Sequence, residues 1–376
     1  MSIRVVVCYT GGVGSQAIRL LAGEPGLELV GVLVHHEDKE GRDVGELVGI
    51  GPIGLAATRD VDALVALRAD CMLWHSLTWE PETIARFLAA GTNVYSSMGG
   101  WWPAFIPAER EVLDRACAEG GSTFLAGGNI PGLVSDVLPL FVSGYAGRVE
   151  KIRCWQSDYV PHYPGAQQLQ GALGMGLPVP EDSSPTEADQ GWVWGIRQSA
   201  EIVAAGLGFE LTDVRVSKKE YASALEDVVL QPSGLEVRKG TIAGARWTFT
   251  AYTGADGDVP FYEVVNEQTV GLGLAPGWRV SEDEPNWKVE ISGVPAITCV
   301  FDLAFDPDLE PVSALNAARA VNFVPILVAA EPGAKTVLDV PAPRAATLAH
   351  RATPAPTATS ATTATPAATA TAAGRP

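Results

Sequence analysis

A cluster of glycines near the N-terminus is the first feature with the residue types and spacing for chemistry. Gly11, Gly12 and Gly14 follow a β-branched run and precede a helix-forming stretch. A glycine turn between a strand and a helix lets the backbone approach a pyrophosphate, and the helix N-terminus offers it unpaired N–H groups. Against the G-x-G-x-x-G pattern, Tyr9 stands where the first glycine should be. A tight turn without a ligand is the alternative. The residues expected to bind a dinucleotide are Thr10, Gly11, Gly12, Val13 and Gly14.

The segment that ends the second predicted strand bears on the choice between NAD and NADP. An Asp or Glu about 20 residues after the glycines usually binds the ribose of NAD, whereas basic residues favour the 2′-phosphate of NADP. Here two imidazoles, His35 and His36, end the strand, and Lys39 and Arg42 follow. We expect these four side chains to border the ribose and to favour NADP. Two acidic residues between them leave NAD open, and a solvated loop without a ligand is the alternative.

A third polar group follows the predicted strand Cys71–Trp74. The carboxyl ends of parallel strands border the cofactor crevice of such folds. We therefore expect His75, Ser76 and Thr78 to lie near the nicotinamide ribose. A strand-end histidine that only caps a helix is equally compatible with the sequence.

The richest polar and aromatic cluster spans residues 155–164 and follows the first strand of the second half of the chain. A loop at that place would face the cofactor crevice. His162 has the side chain of a general acid near neutral pH, and Tyr159 or Tyr163 can protonate an alkoxide or an imine nitrogen. Asp158 supplies a carboxylate. A purely structural role is the alternative for the histidine.

Metal-dependent and covalent chemistry are not predicted. The five cysteines are scattered and lack C-x-x-C spacing, and no grouping of His, Cys and Asp has the spacing of a zinc site. No G-x-S-x-G nucleophile motif occurs. An odd number of widely separated thiols is typical of a reduced, cytoplasmic protein.

Composition and charge exclude several classes of function. The 376 residues include 26 Lys+Arg and 44 Asp+Glu, which gives a formal charge of −18, and 47% are hydrophobic. Binding to nucleic acid without sequence preference needs a basic footprint, and no apolar run approaches the roughly 20 residues of a membrane-spanning helix. We therefore expect a cytoplasmic homodimer that acts on a small-molecule substrate, with neither nucleic acid nor a membrane as a partner.

The elements that would position these residues fall into four parts. Residues 1–146 alternate between strands and helices, which predicts an α/β Rossmann-type domain with a doubly wound parallel sheet. Residues 147–310 contain strands of alternating polarity, typical of an α+β substrate or dimerisation domain with a mainly antiparallel sheet. We expect residues 311–340 to return as a helix and a strand to the first domain. The Ala, Thr and Pro of residues 341–376 predict a disordered tail.

Local pattern also predicts the elements of the second domain. Its strands are expected at 149–157, 211–217, 234–237, 241–252, 259–265 and 287–292, and helices at 191–205 and 312–330.

Several segments of the chain together resemble the dihydrodipicolinate reductase-like family. In the first domain these are Gly11-Gly12-Val13-Gly14, Leu27-Glu28-Leu29-Val30-Gly31-Val32 and Gly41-Arg42-Asp43-Val44-Gly45-Glu46-Leu47. Later segments are similar to the branch that contains 2,4-diaminopentanoate dehydrogenase and the native amine dehydrogenases. Gly91-Thr92-Asn93-Val94 resembles a G-x-N-V strand entry, residues 127–132 resemble a G-x-N-P-G segment with Ile130 added, and residues 317–325 resemble the final helix.

The resemblance implies an NAD(P)-linked oxidoreductase that acts at a C–N bond and interconverts a ketone plus ammonia with an amine. It implies cofactor contacts for Asn129 in the G-x-N-P-G-like segment and for Asn322 in the final helix. Such chemistry needs a group that shuttles protons and holds ammonium or iminium charge in a dry pocket.

The family's catalytic glutamate is not matched. In the amine dehydrogenases it follows the G-x-N-V strand, in a segment resembling S-T-C-E-E-L. Here glycines occupy the carboxylate position, and two tryptophans follow as walls for an apolar substrate or as packing between domains. A Glu introduced at position 99 or 100 is expected to raise amination activity, provided that Trp101 and Trp102 leave it room. The residues expected to contact substrate are Met98, Gly99, Gly100, Trp101 and Trp102.

The sequence therefore predicts an NAD(P)H-dependent oxidoreductase that acts on a C=N or C=O bond of a small, largely apolar molecule, with NADP as the favoured cofactor. The alternative is a dinucleotide-binding sensor or structural protein that has lost turnover. The two glycines at 99 and 100 are what keeps that alternative open.

Overall fold

A computed structural model describes residues 2–163, 165–254, 259–271, 278, 287–303 and 311–345. The helices are α1 (Gly12–Gly23), α2 (Val44–Leu47), α3 (Val61–Ala66), α4 (Pro81–Ala89), α5 (Pro107–Gly120), α6 (Val137–Ser143), α7 (Glu187–Gln190), α8 (Val193–Leu207) and α9 (Pro311–Ala329). The strands are β1 (Ile3–Cys8), β2 (Leu27–Leu33), β3 (Cys71–Trp74), β4 (Asn93–Ser96), β5 (Thr123–Ala126), β6 (Arg148–Tyr159), β7 (Asp213–Ser223), β8 (Val228–Val229), β9 (Glu236–Val237), β10 (Ile242–Thr253), β11 (Val259–Thr269), β12 (Trp287–Val294), β13 (Ile297–Phe301) and β14 (Gly333–Lys335).

The first sheet has six parallel strands in the order β14-β5-β4-β3-β1-β2. Helices cover both faces, with α1 and α9 on one side and α3, α4 and α5 on the other. A strand buried on both faces needs apolar residues at consecutive positions. In β1, Val5 and Val7 pack into one core while Val6 and Cys8 pack into the other. The predicted α/β parallel sheet is confirmed.

The strand order places a topological switch point between β1 and β3. Chain connections leave β1 toward β2 on one side, whereas β3, β4 and β5 follow on the other. In open α/β sheets the ligand crevice lies outside the carboxyl ends of the strands at such a point. This edge is where the predicted site must form.

The second sheet is mixed, in the order β13-β12-β6-β11-β10-β7. Its pairs are antiparallel apart from the parallel pair of β6 and β11, so the predicted mainly antiparallel sheet is confirmed. One face packs against α6 and α8, with Ile152 and Cys154 in that core. On the other face Lys151 and Arg153 pair with Glu263, at 2.9 and 3.7 Å.

Two differences from the predicted elements have local causes. The strand expected at 234–237 is only the two-residue β9, which pairs with β8 in a separate small sheet. Gly234 has a φ of 71°, a conformation that breaks a strand. Strand β13, which sequence pattern missed, alternates half-buried and exposed residues at the sheet edge, so its apolar signal is weak.

Helix α9 is long and apolar enough, by length and composition alone, to cross a membrane. The expectation that no apolar segment approaches such a length was therefore wrong. Core helices share this property. Here Ala317, Ala320 and Phe323 are buried in the core that α9 forms with α1 and the first sheet.

Residues up to Arg344 form one compact unit. Residues 346–376, most of the predicted tail, lie outside the described residues. The domain boundaries near residues 146 and 310 stay predictions.

Candidate active site

Five loops meet at the carboxyl edge of the first sheet. They follow the five strands β1 to β5 and contain Tyr9–Gly11, His35–His36, His75–Thr78, Ser97–Gly100 and Gly127–Asn129. Parallel strands all end at the same edge, so the tertiary structure brings together residues that lie up to about 120 positions apart in sequence.

The turn after β1 has the backbone of a glycine turn although Tyr9 occupies the first glycine position. Tyr9 has a φ of 75°, in the left-handed region that side chains other than glycine rarely adopt. Its ring contacts Trp74 and His35 edge-on, with centroid distances of 5.4 and 6.3 Å. These contacts hold a tyrosine where the sequence pattern asks for glycine.

The remaining glycines of this turn are fitted to a close approach. A Cβ at Gly14 would lie 2.0 Å from the carbonyl oxygen of Tyr9, and one at Gly12 would lie 2.7 Å from Ser313 Oγ of α9. The space around Gly11 is open. Helix α1 begins here with no side-chain cap and no acidic residue in its first turn, so its N–H groups and dipole fit a pyrophosphate. Val13 is the second residue of that first turn.

The residues predicted to border the ribose lie beside this turn. Lys39 Nζ donates a hydrogen bond to Thr10 Oγ1 at 3.0 Å and so ties the end of β2 to the glycine turn. His35, His36 and Arg42 are exposed along the same rim. An ammonium and a guanidinium at this position fit a 2′-phosphate.

His75, directly after β3, is joined to a residue that the sequence analysis did not single out. Its Nδ1 lies 2.8 Å from Ser97 Oγ, directly after β4. The imidazole is only 9% exposed, and burial lowers its pKa to about 4. Nε2 is buried, and none of the described residues lies within hydrogen-bonding distance of it. Adjacent parallel strands were the only available signal for the pairing with Ser97.

Ser76 and Thr78 take a different position from His75. Their hydroxyl oxygens are 3.0 Å apart, and Thr78 Oγ1 donates to Glu80 at 2.7 Å. Ser76 is half-buried and Thr78 is exposed. They lie on the rim of the crevice, whereas the imidazole lies inside it.

The turn after β4 is filled. Gly99 and Gly100 have φ values of 76° and 75°. A Cβ at Gly99 would meet the Trp79 ring at 2.5 Å, and one at Gly100 would meet the Phe124 ring at 2.8 Å. The space that a Glu would need is taken by Trp79 and Phe124, not by Trp101 and Trp102 as the condition on this substitution supposed. Met98 is fixed through its backbone, which exchanges hydrogen bonds with Ser96 Oγ.

Trp101 and Trp102 join this turn to the second domain. The Trp101 ring packs edge-on against Trp194 of α8, with the centroids 5.6 Å apart. The backbone N–H of Trp102 donates to Oε1 of the buried Gln198 at 2.9 Å. Both contacts are with helix α8. Their predicted role in substrate binding stays a prediction.

Helix α9 reaches the crevice through a residue that sequence reasoning missed. Asn316 Nδ2 donates to Asn129 Oδ1, at the long distance of 3.5 Å, and Asn316 is only 8% exposed. Ser313, one turn earlier, approaches Gly12. The i, i+3 spacing of these two polar residues in an apolar helix was the available signal. Asn322, the residue implied by resemblance, lies about 9 Å further along the helix.

The loop after β5 is anchored by a buried carboxylate. Asp136 accepts hydrogen bonds from the backbone N–H of Gly132 at 2.7 Å and from Ser199 Oγ of α8 at 3.0 Å. Burial raises the pKa of Asp136, and the Arg319 guanidinium acts in the opposite direction. Asp136 thereby fixes the segment around Asn129 against both α8 and α9.

The second-domain candidates lie around the end of β6. Asp158 accepts hydrogen bonds from Gln156, from Gln268 at 2.8 Å and from Trp287 Nε1 at 3.3 Å. Tyr159 is the last residue of β6. His162 is exposed, with its ring 5.4 Å from the ring of Tyr163.

Tyr163 packs against the core of the second sheet, and Ile130 of the loop after β5 and Leu315 of α9 pack against the same core. The catalytic roles of Asp158, Tyr159, His162 and Tyr163 remain predictions.

The edge as a whole fits a dinucleotide. The N-terminus of α1 suits the pyrophosphate, Lys39 suits a ribose phosphate, and the buried polar side chains of His75 and Asn316 line the part expected to hold the nicotinamide. Within the ranges that the structure describes, no group of three or more His, Cys, Asp or Glu side chains is placed to hold a metal ion.

Comparisons with known proteins agree with this reading of the fold. Residues 133–354 match the 2,4-diaminopentanoate dehydrogenase C-terminal domain, and residues 3–89 match the dihydrodipicolinate reductase N-terminus. An amine dehydrogenase from Streptomyces virginiae is 29% identical over 360 residues, which cover 90% of this chain and 96% of that protein. A 2,4-diaminopentanoate dehydrogenase from Acetoanaerobium sticklandii is 23% identical, covering 91% and 94%.

The structure of an amine dehydrogenase from Mycobacterium smegmatis has the same fold. It superposes with a TM-score of 0.71 at 21% identity and covers 92% of this chain and 97% of that one. The protein is therefore an NAD(P)-dependent oxidoreductase with a Rossmann-type domain. Within that class, the chain belongs to the family with the 2,4-diaminopentanoate dehydrogenase C-terminal domain, which confirms the resemblance inferred from sequence.

Proposed function

We propose that this enzyme uses NADPH, or less readily NADH, to reduce a C=O or C=N bond of a small, largely apolar substrate. The observation that carries the proposal is the carboxyl edge of the first sheet, where an uncapped glycine turn, a buried imidazole and several tryptophans meet. Two relatives bear the names amine dehydrogenase and 2,4-diaminopentanoate dehydrogenase, which supports chemistry at a carbon bonded to nitrogen.

Each part of the edge has a task in this reaction. The N–H groups at the start of α1 bind the pyrophosphate, and Lys39 and Arg42 favour a 2′-phosphate. The bound nicotinamide supplies the hydride. Trp79 and Trp101 exclude water from the inner part of the crevice, since both pack in the apolar core behind it.

The absence of a carboxylate at the β4 turn disfavours the capture of free ammonia. An ammonium ion beside Gly99 and Gly100 would meet the indole of Trp79 and the ring of Phe124 instead of a negative charge. A cation in a water-poor pocket is costly without a partner. We infer that ketones and preformed imines are better substrates than a ketone with free ammonia.

The proton donor is proposed to come from the second domain. Asp158 is first in line as a replacement carboxylate, and Tyr159, His162 and Tyr163 are the other candidates. The packing of Tyr163 in one core with Ile130 and Leu315 supports a donor from this loop. Cytoplasmic location and a homodimer complete the proposal, and light scattering tests the second.

The test is NAD(P)H oxidation over a panel of ketones and cyclic imines, with and without ammonium. We expect turnover without ammonium that exceeds the ammonium-dependent rate, and a higher kcat/KM with NADPH than with NADH. Ammonium-dependent turnover equal to the best ammonium-free rate would show that another carboxylate performs the role of the family's glutamate. Cofactor binding without turnover on any member of the panel would favour the non-catalytic alternative.

A further inference from the structure

The pair of His75 and Ser97 is built into the sheet itself. Trp74 of β3 and Ser96 of β4 are partners in the parallel register, so the next residues on the two strands are neighbours. The backbone N–H of Ser97 donates to the Trp74 carbonyl at 2.9 Å, and that of His75 donates to the Cys8 carbonyl at 3.3 Å. Both backbones are fixed, and the 2.8 Å contact between Nδ1 and Oγ follows from that.

The second ring nitrogen of His75 is free to bond to a ligand. Nε2 of His75 is buried, and no described residue offers it a hydrogen bond. A buried polar atom left without a partner costs about 1–3 kcal/mol. A ligand atom that forms a hydrogen bond with Nε2 would remove this free-energy cost. His75 lies at the sheet edge where the ligand of such a fold binds.

The imidazole is uncharged near neutral pH, because burial lowers the pKa of His75 to about 4. A neutral imidazole donates through one nitrogen and accepts through the other. If the Ser97 hydroxyl donates to Nδ1, the proton of the ring sits on Nε2. The ring then presents a neutral N–H donor to the crevice.

We propose that His75 is a catalytic residue for carbonyl reduction, with Nε2–H donating a hydrogen bond to the substrate oxygen, and that Ser97 is the positioning residue that fixes its tautomer. The inference rests on the proposed reductase function. Neutral imidazole donors of this kind polarise carbonyl groups in other enzymes.

The reaction balances without a charged side chain at this point. A bound reduced nicotinamide would supply the hydride for the new C–H bond and would itself be oxidised, and the electron pair of the C=O π bond moves to oxygen. The alkoxide accepts its proton from the donor proposed in the second-domain loop, directly or through a bound water. Nε2–H stabilises the negative charge as it develops on oxygen, and it keeps its own proton.

This role distinguishes two kinds of substrate. Reduction of a ketone builds negative charge on oxygen, whereas reduction of an iminium ion removes positive charge and leaves a neutral amine. The donor therefore lowers the barrier for the first reaction and not for the second. Its partner Ser97 lies in the same loop as Gly99, where the resemblance places the family's glutamate.

The experiment compares a ketone and a cyclic imine of the same size, such as 1-tetralone and 1-methyl-3,4-dihydroisoquinoline, in wild type and His75→Leu. We expect His75→Leu to lower kcat for the ketone by about 100-fold or more. The imine rate should change by less than about fivefold, and NADPH affinity by fluorescence titration by less than about twofold. His75→Gln keeps an N–H donor of similar reach and should recover part of the ketone rate.

Ser97→Ala and Thr92→Val test the positioning role. Ser97→Ala should lower the ketone rate by about tenfold and convert a single Nε2–H tautomer into a mixture, seen in imidazole ¹⁵N–¹H spectra. Thr92 lies at the opposite end of β4 and is buried, with its hydroxyl bonded to no described residue. Thr92→Val is the matched control and should leave both rates unchanged.

Equal losses on ketone and imine in His75→Leu, or an Nδ1–H tautomer in wild type, would overturn the role of His75 while leaving the reductase function intact. No turnover by the wild type on any substrate would instead overturn the reductase function, and the inference with it. If His75→Leu does not fold, the role of His75 is tested by the ketone and imine rates of His75→Gln and by the imidazole tautomer of the wild type. The ¹⁵N–¹H spectra that show the tautomer need no variant.

Discussion

Two glycine turns at the same edge of the first sheet have opposite structural meanings. The turn after β1 is open at Gly11, where no atom lies within 4 Å of a Cβ. The turn after β4 is closed, with the Trp79 ring 2.5 Å from a Cβ at Gly99. Glycine in the turn after β1 leaves room for a ligand to approach. Glycine in the turn after β4 leaves room for the Trp79 ring, which already packs there.

The backbone conformations separate the two turns as clearly as the neighbours do. Gly11 has a φ of −75°, which most residues adopt, whereas Gly99 and Gly100 are in the left-handed region. A missing side chain in a sequence therefore does not indicate free space. At the β4 turn, the space beside Gly99 is taken by the indole of Trp79.

Placing Glu at the closed turn is expected to have the largest effect. A side chain in the left-handed region costs about 1–2 kcal/mol, and overpacking adds about 1–3 kcal/mol. We expect Gly99→Glu or Gly100→Glu to lower the free energy of unfolding by about 3 kcal/mol, with no gain in ammonium-dependent amination. Urea denaturation and the substrate panel measure the two effects.

The controls for this prediction come from both turns. Gly11→Ala should change the free energy of unfolding by less than about 0.5 kcal/mol. Combining Trp79→Ala with Gly99→Glu should give less than the sum of the two losses, because the indole is the obstacle. A stable Gly99→Glu protein with new amination activity would show that the closed turn opens.

The stability of the protein also depends on pH through His75, whose partner Ser97 lies beside the closed turn. Its pKa is about 4 in the folded protein and near 6.5 when unfolded, so between these values only the unfolded chain binds the proton. Stability is thus lost as pH falls. For His75 alone we expect the free energy of unfolding to drop by about 2 kcal/mol from pH 7.5 to 5.0.

The measurement is the difference between wild type and His75→Gln in urea denaturation at the two pH values, since other titrating groups cancel in it. Parallel pH dependence in the two proteins would mean that the imidazole gains a proton while folded.

The smallest predicted effect concerns cofactor binding at the open turn after β1. In Gly11→Asp a carboxylate at the start of α1 would repel a pyrophosphate, and NADPH affinity should fall by about tenfold, or 1.4 kcal/mol. Stability should stay the same or rise by a few tenths of a kcal/mol, because Asp is a better helix N-cap than Gly. If fluorescence titration gave Gly11→Asp the same NADPH affinity as the wild type, the glycine turn would be ruled out as the cofactor site.

Local sequence pattern was enough to establish the fold. The consecutive apolar residues of β1 face two cores at once, and the alternating residues of β6 face one core and solvent. These periods follow from strand geometry, which is a local property. The family was also readable from short motifs, namely the glycines at fixed spacing between β1 and α1, the segment that enters β4 and the segment after β5.

The partners of individual side chains were not readable. Sequence order gave Trp101 and Trp102 as the neighbours of Gly99, but Trp79, twenty positions earlier, fills the space. Ser97 was not paired with His75, and Asn322 was expected where Asn316 lies. In each case the contact joins two strands or a strand loop and a helix, and no local rule specifies which residues meet.

The sequence by itself determined which elements form, in what order, and at which sheet edge the chemistry belongs, because hydrophobic period and turn residues act within a few positions. Only the tertiary structure decided which of the two glycine turns is open, which nitrogen of His75 lacks a partner, and which asparagine of α9 faces the loop after β5. The reason is physical: side chains compete for space after the backbone has brought distant segments together, and close packing lets only one of them fill each site.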